Sequence, residues 1–168
     1  MANQTPVSSL IGANLSATDT TALFALGTVC NTDDGGRFEY VEATATQTTG
    51  KFVLLTPSGT AITLTTARLT GNTAGYDIAA VQGLVSQGEF AWVAKQGRNM
   101  FVLVTGTMTA GNPNQVGFAA AGSRLQALTA LGVGATAFGI FLTSSTPTGA
   151  GPHVTLATLT WPSAAIKQ

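Results

Sequence analysis

The chain has 168 residues, enough for one domain with a real core and no need of staples. Charged residues make up only 8% of it, and seven basic residues balance seven acidic ones. That scatter excludes the clustered Lys and Arg that a nucleic-acid backbone requires, and a neutral, charge-poor surface is poorly protected against association.

Residues 1–21 (MANQTPVSSLIGANLSATDTT) are polar and weakly patterned. They read as an extended N-terminal arm ahead of a single β-rich domain over 22–168. The first fifteen lack a basic start and a continuous apolar run, so no signal peptide is expected. Ala22 to Cys30 is a strand-length apolar run, and Asn31 to Gly36 is a dense turn signal. Arg37 to Ala43 alternates, with Phe38 and Tyr40 on one side and Arg37, Glu39 and Val41 on the other. A second pair follows, Lys51 to Thr56 and Ala61 to Ala67, joined by a turn at Pro57-Ser58-Gly59. The Gly- and Asn-rich stretch at 70–76 is a soft division within the domain.

Ile78 to Leu84 is the next strand, and Ser86-Gln87-Gly88 turns the chain. Glu89 to Gln96 sets Phe90 and Trp92 against Ala91, Val93 and Lys95. Gly97-Arg98-Asn99 reads as a tight turn. Met100 to Thr105 is apolar almost throughout, as a strand covered on both faces would be. Thr109 to Asn114 is a loop. Ser123 to Leu131 is the one helical stretch, with Ser123 to cap it and Gly132 to end it. Ala135 to Thr143 is a strand, Ser144 to Pro152 a loop, and His153 to Trp161 the closing strand. The class expected is all-β: an antiparallel β-barrel or β-sandwich with one short helix and the arm. The uncharged run Leu125 to Thr143 is broken by Gly132, Gly134, Gly139, Thr129 and Thr136 and has no basic or aromatic flanks, so no membrane span is expected.

Catalytic chemistry finds little support. His153 is the only histidine, and neither a triad nor a two-His metal site can be built on it. Cys30 is the only cysteine; it has no visible partner to lower its pKa and reads as a small buried hydrophobe. Asp33 and Asp34 lack the further carboxylates of a calcium loop and suit a turn. Gly132-Val133-Gly134 lacks the rest of a phosphate loop. Trp92 and Trp161 suit packing, with a carbohydrate platform as the alternative. The carboxylates Asp19, Asp33, Asp34, Asp77, Glu39, Glu42 and Glu89 are spread along the chain, which speaks against a hydrolase. No catalytic, cofactor-binding or metal-binding residue is expected.

One resemblance stands beside this reading. Phe90-Ala91-Trp92-Val93, Gln96-Gly97, Met108-Thr109-Ala110-Gly111, Gly122-Ser123-Arg124-Leu125, Gly139 to Thr143 and Val154-Thr155-Leu156 before Pro162 follow a strand-and-turn pattern. It resembles a β-domain of tailed-bacteriophage virion proteins, including head decoration (cement) proteins and head fibres. Upstream, Leu26 to Val29, Asp34-Gly35-Gly36 and Tyr40-Val41 look like the opening hairpin of similar head proteins. The resemblance covers most of Ala22 to Pro162. It implies a non-enzymatic protein on the outer surface of the phage head, made in the host cytoplasm. Its partners would be the major capsid protein and further copies of itself, commonly as a trimer. The alternative within the same class is a fibre or tail receptor-binding head domain that binds host glycan.

Overall fold

A computed structural model describes residues 13–65, 68, 76–106, 116–118, 125–127, 135–143 and 151–166. Among these residues, eleven strands form one mixed sheet. In chain order they are β1 (Thr18–Asp19), β2 (Val29–Asn31), β3 (Arg37–Ala43), β4 (Phe52–Leu55), β5 (Thr60–Thr63), β6 (Asp77–Val81), β7 (Phe90–Thr105), β8 (Val116–Phe118), β9 (Leu125–Ala127), β10 (Ala135–Leu142) and β11 (Pro152–Ile166). The expected all-β class holds, but the sheet is not purely antiparallel. β3 pairs β5 in parallel, and so does β7 with β9.

The pairings close two circuits through one shared strand. β3, β5, β4, β6 and the first half of β7 form the first circuit. The second half of β7, β11, β10, β8 and β9 form the other. Side-chain size follows from this closure. One face of the first circuit is lined by Val41, Ala43, Val53, Leu55, Ala61, Ala79, Val81, Ala91 and Val93. A ring of five strands has room inside only for such small groups. The alternate residues are large: Phe38, Tyr40, Phe52, Leu54, Ile78 and Trp92 pack outward into the main core. That core continues into the second circuit as Met100, Val102, Val104, Phe118, Leu125, Ile140, Leu142, Ala157 and Leu159. Phe52 meets Phe118 edge to face, with ring centroids 5.3 Å apart.

β7 is where the sequence reading fails most instructively. The tight turn expected at Gly97-Arg98-Asn99 is no turn; one strand continues through it. Register shifts of β7 against β3 near Arg37 and against β11 near Ala157 mark bulges there. Gly97 has φ 145° and Asn99 φ 54°, so the turn-forming residues bend one strand and do not reverse the chain. A Cβ at Gly97 would also lie 2.3 Å from the Met100 methyl. Gln82 and Gly50 then seal the bent strand. Gln82 Nε2 donates to the Phe101 carbonyl at 3.2 Å, and Phe101 N–H donates to Gln82 Oε1 at 2.9 Å. Leu103 N–H donates to the Gly50 carbonyl at 2.7 Å.

Other expectations change as well. Leu125–Ala127, within the expected helix, is strand, because it extends the sheet beside β7 and β8. Ala22 to Thr28 is not strand: only Phe24 turns inward, and Gly27 at φ 79° lets the chain loop back. Residues 13–21, the later part of the expected arm, dock on the domain. Ala13 and Leu15 join the core, and β1 pairs β7 through Thr18↔Ala91 and Asp19↔Phe90. β11 begins one residue earlier than expected and passes Trp161 to Ile166. Pro162 is tolerated there because it falls opposite the β10 irregularity and beyond the last β7 partner, Thr160. The remaining helix residues, the loops at 109–114 and 144–150, the division at 70–75 and Gly132-Val133-Gly134 lie outside the described residues. Among the described residues, no helix is long and apolar enough to cross a membrane.

Candidate functional site

Three arrangements stand out, and strand parity builds each of them. The first is ionic. Lys95 shares the inward parity of Ala91 and Val93 on β7, Glu39 that of Val41 on β3, and Asp77 that of Ala79 on β6. The three therefore meet at one end of the first circuit. Lys95 Nζ donates to Glu39 Oε2 at 3.0 Å and to Asp77 Oδ2. The Lys95 and Glu39 side chains are 5% and 13% exposed, while Asp77 is 46% exposed. Toward the other end, Gln47 is buried, its backbone pairs with Val85, and its Nε2 donates to Thr63 Oγ1 at 2.7 Å.

The second is an aromatic clasp on the outside of that circuit. Tyr40 lies between Phe24, Phe90 and Trp92, with centroids 5.2, 6.1 and 5.1 Å away. Its phenol donates to Asp19 Oδ2 at 2.8 Å and accepts the Leu23 N–H at 3.2 Å. Burial pushes the phenol above its ordinary pKa of 10.0; the Leu23 N–H pulls it back, and the Asp19 carboxylate raises it further. The clasp pins the N-terminal segment to β3.

The third is a bare sheet face. On the second circuit Val102, Val104, Thr155 and Ala157 point inward and are buried. Their alternates point out, and the register sets them side by side: Leu103 opposite Val154, Phe101 opposite Leu156, and Phe141 opposite Thr158. Val154 is 48% exposed and Phe141 41%, while Phe101, Leu103, Leu156 and Thr158 are half-buried. None of these six carries a charge. Contiguous apolar surface is where contact sites are commonly found on proteins.

The residues singled out from sequence are not gathered into one site. His153 faces inward beside Val104, with Nε2 buried and no hydrogen-bond partner among the described residues. Cys30 is fully buried on β2. Asp34 serves its turn: Thr32 Oγ1 donates to it at 2.5 Å, and the Gly36 N–H donates to Thr32 Oγ1 at 2.8 Å. Trp92 is buried beneath Phe24 at 5.2 Å, so its face offers no platform to a sugar. The Trp161 side chain lies outside the described residues. Among the described residues, no three His, Cys, Asp or Glu come together to hold a metal ion.

Sequence reasoning missed the ionic cluster. Glu39 and Asp77 lie 56 and 18 positions from Lys95, and they looked scattered for that reason. The signal was available in parity: each charge sits two residues along the strand from a Val or Ala of inward phase. No protein-family model matches the chain, and no curated protein matches it either.

Proposed function

We propose that the chain is a decoration, or cement, protein of a tailed-phage head, acting as a homo-oligomer on the outer surface of the capsid. The observation that carries this reading is the bare, uncharged face of β7, β11 and β10 on a chain with only 8% charged residues. Such a surface suits burial against a neighbour. The strand pattern from Phe90 to Trp161 supports the choice of neighbour. Mechanically, each circuit is a small closed barrel in this reading, and the shared β7 transmits load between them. A subunit would dock through the bare face, contact further copies as a trimer, and bridge joints between major capsid proteins. Trimerisation would multiply modest contacts into strong binding.

The test has two arms. Light scattering of the isolated protein should give a trimer or another closed oligomer. Particles incubated with the protein should bind it in hundreds of copies, of the order of the capsomer number. A monomer without affinity for heads would overturn the reading, and a few copies per particle at one vertex would replace it with a fibre or receptor-binding head.

A further inference from the structure

We propose that Lys95 and Asp77 join covalently, through an amide bond between Lys95 Nζ and Asp77 Cγ that the folded chain makes itself with Glu39 as proton carrier. This does not depend on the capsid reading. The argument starts from the cluster at the end of the first circuit. An ammonium 5% exposed lies between two carboxylates, one from each of two strands that pair with β7. Nearby inward positions are Val93, Val41 and Ala79. Charges held in such a lining lose hydration that their mutual attraction offsets only in part. Condensation removes two of the three charges and replaces them with one neutral amide.

Position favours the reaction. Nucleophile and electrophile are held together by the sheet, so the encounter costs no further entropy. The step balances without any co-reactant. The Lys95 ammonium gives one proton to the Asp77 carboxylate. The Nζ lone pair then attacks Asp77 Cγ. Glu39, 3.0 Å from Nζ, takes a second proton from nitrogen and delivers it to the departing hydroxyl. Water leaves, the third proton stays on the amide nitrogen, and Glu39 returns to its starting state. The roles follow from exposure. Glu39 is shielded and suits proton transfer, whereas half-exposed Asp77 gives the water a way out.

The full chain, purified, denatured and weighed intact by mass spectrometry, is expected to be lighter than its sequence by one water. Proteolysis should give one branched peptide carrying both Asp77 and Lys95. Lys95→Arg and Glu39→Gln should show full sequence mass with unchanged circular dichroism. Asp77→Asn is the sharper variant: its side chain would release ammonia in place of water, so its product is the same molecule as the wild type and the two chains converge on one mass. A merely structural ion cluster predicts no such convergence. Full sequence mass in folded wild-type chain overturns the proposal, and so does a mass deficit that survives Lys95→Arg. A link that still forms in Glu39→Gln overturns the proton-carrier role.

Discussion

The two circuits share a strand and differ in what covers them. The first is covered on both faces at most positions: Val and Ala fill it, and its large outward residues lie under the N-terminal segment or against the second circuit. Among the described residues the second is filled inside and leaves the outward face of β7, β11 and β10 partly exposed. Every strand of either circuit pairs on both sides among the described residues, so pairing as such does not distinguish them. The difference lies in side chains, and it separates a region built to be rigid from one that offers a surface. The strongest way to break this picture is at the contact between the circuits. Phe52→Ala removes a fully buried ring that packs on Phe118. It should cost about 3–5 kcal/mol in urea unfolding. A cost under about 1 kcal/mol would mean that the two circuits do not share a core.

The hand-over along β7 is the next target. Gly50 has φ 79°, and a Cβ there would lie 2.6 Å from Leu103 N and 2.7 Å from Val102 C, both backbone atoms that cannot step aside. Gly50→Ala therefore adds a clash to an unfavourable dihedral and should cost about 1–3 kcal/mol. Gly88, also at positive φ but with open space around it, is the control and should cost less under the same substitution.

Tyr40→Phe tests the clasp over the first circuit. It deletes the hydrogen bond to Asp19 and leaves the Leu23 N–H without the phenol oxygen, at a cost of about 1–2 kcal/mol. The pH dependence has a definite sign. Folding raises the phenol pKa, so the folded chain holds that proton more tightly than the unfolded one. This stabilisation is complete below the unfolded value of 10.0 and is lost as pH rises from there through the folded-state value. Wild-type stability should thus fall more steeply than that of Tyr40→Phe above pH 10. Parallel curves would remove the phenol from the clasp.

Much of the strand content was legible because alternation is a local signal. Arg37 to Ala43 matches β3 residue for residue, and Phe52–Leu55 and Thr60–Thr63 flank the expected Pro57-Ser58-Gly59 turn. What was not legible depends on partners distant in sequence. Gly97-Arg98-Asn99 has turn composition, but β11 holds β7 in line past it, and a bulge uses the same residues that a reversal would. Ser123 to Leu131 has helical spacing, yet Leu125–Ala127 is drawn into the sheet by β7 and β8. Tertiary pairing overrides weak local propensity in such short stretches. The candidate sites were hidden for the same reason. The bare face is a property of register between β7, β11 and β10, and the Lys95 cluster is a property of closure.

The smallest expected effect on stability is at the bare face, and there the comparison sharpens most. Val154→Asp and Phe141→Ser change side chains that already meet solvent, so each should shift unfolding free energy by about 0.5 kcal/mol or less. The same changes place a charge or remove an anchor at the centre of the surface proposed to be covered. Oligomer size in light scattering and occupancy on heads should both fall sharply while the unfolding curve barely moves. Glu89→Gln is the matched control: it too is only partly buried, but it lies on the approach to the first circuit, where Glu89 accepts the Ser86 N–H at 2.8 Å. It should leave association untouched. Were Val154→Asp to leave oligomer and occupancy unchanged, the docking surface would have to be sought elsewhere, around the exposed Leu23 and Leu84. Those side chains sit on separate connections between strands and form no sheet face. A partner gripping them would have to read loops, and the second circuit would then have no role in placing the contact.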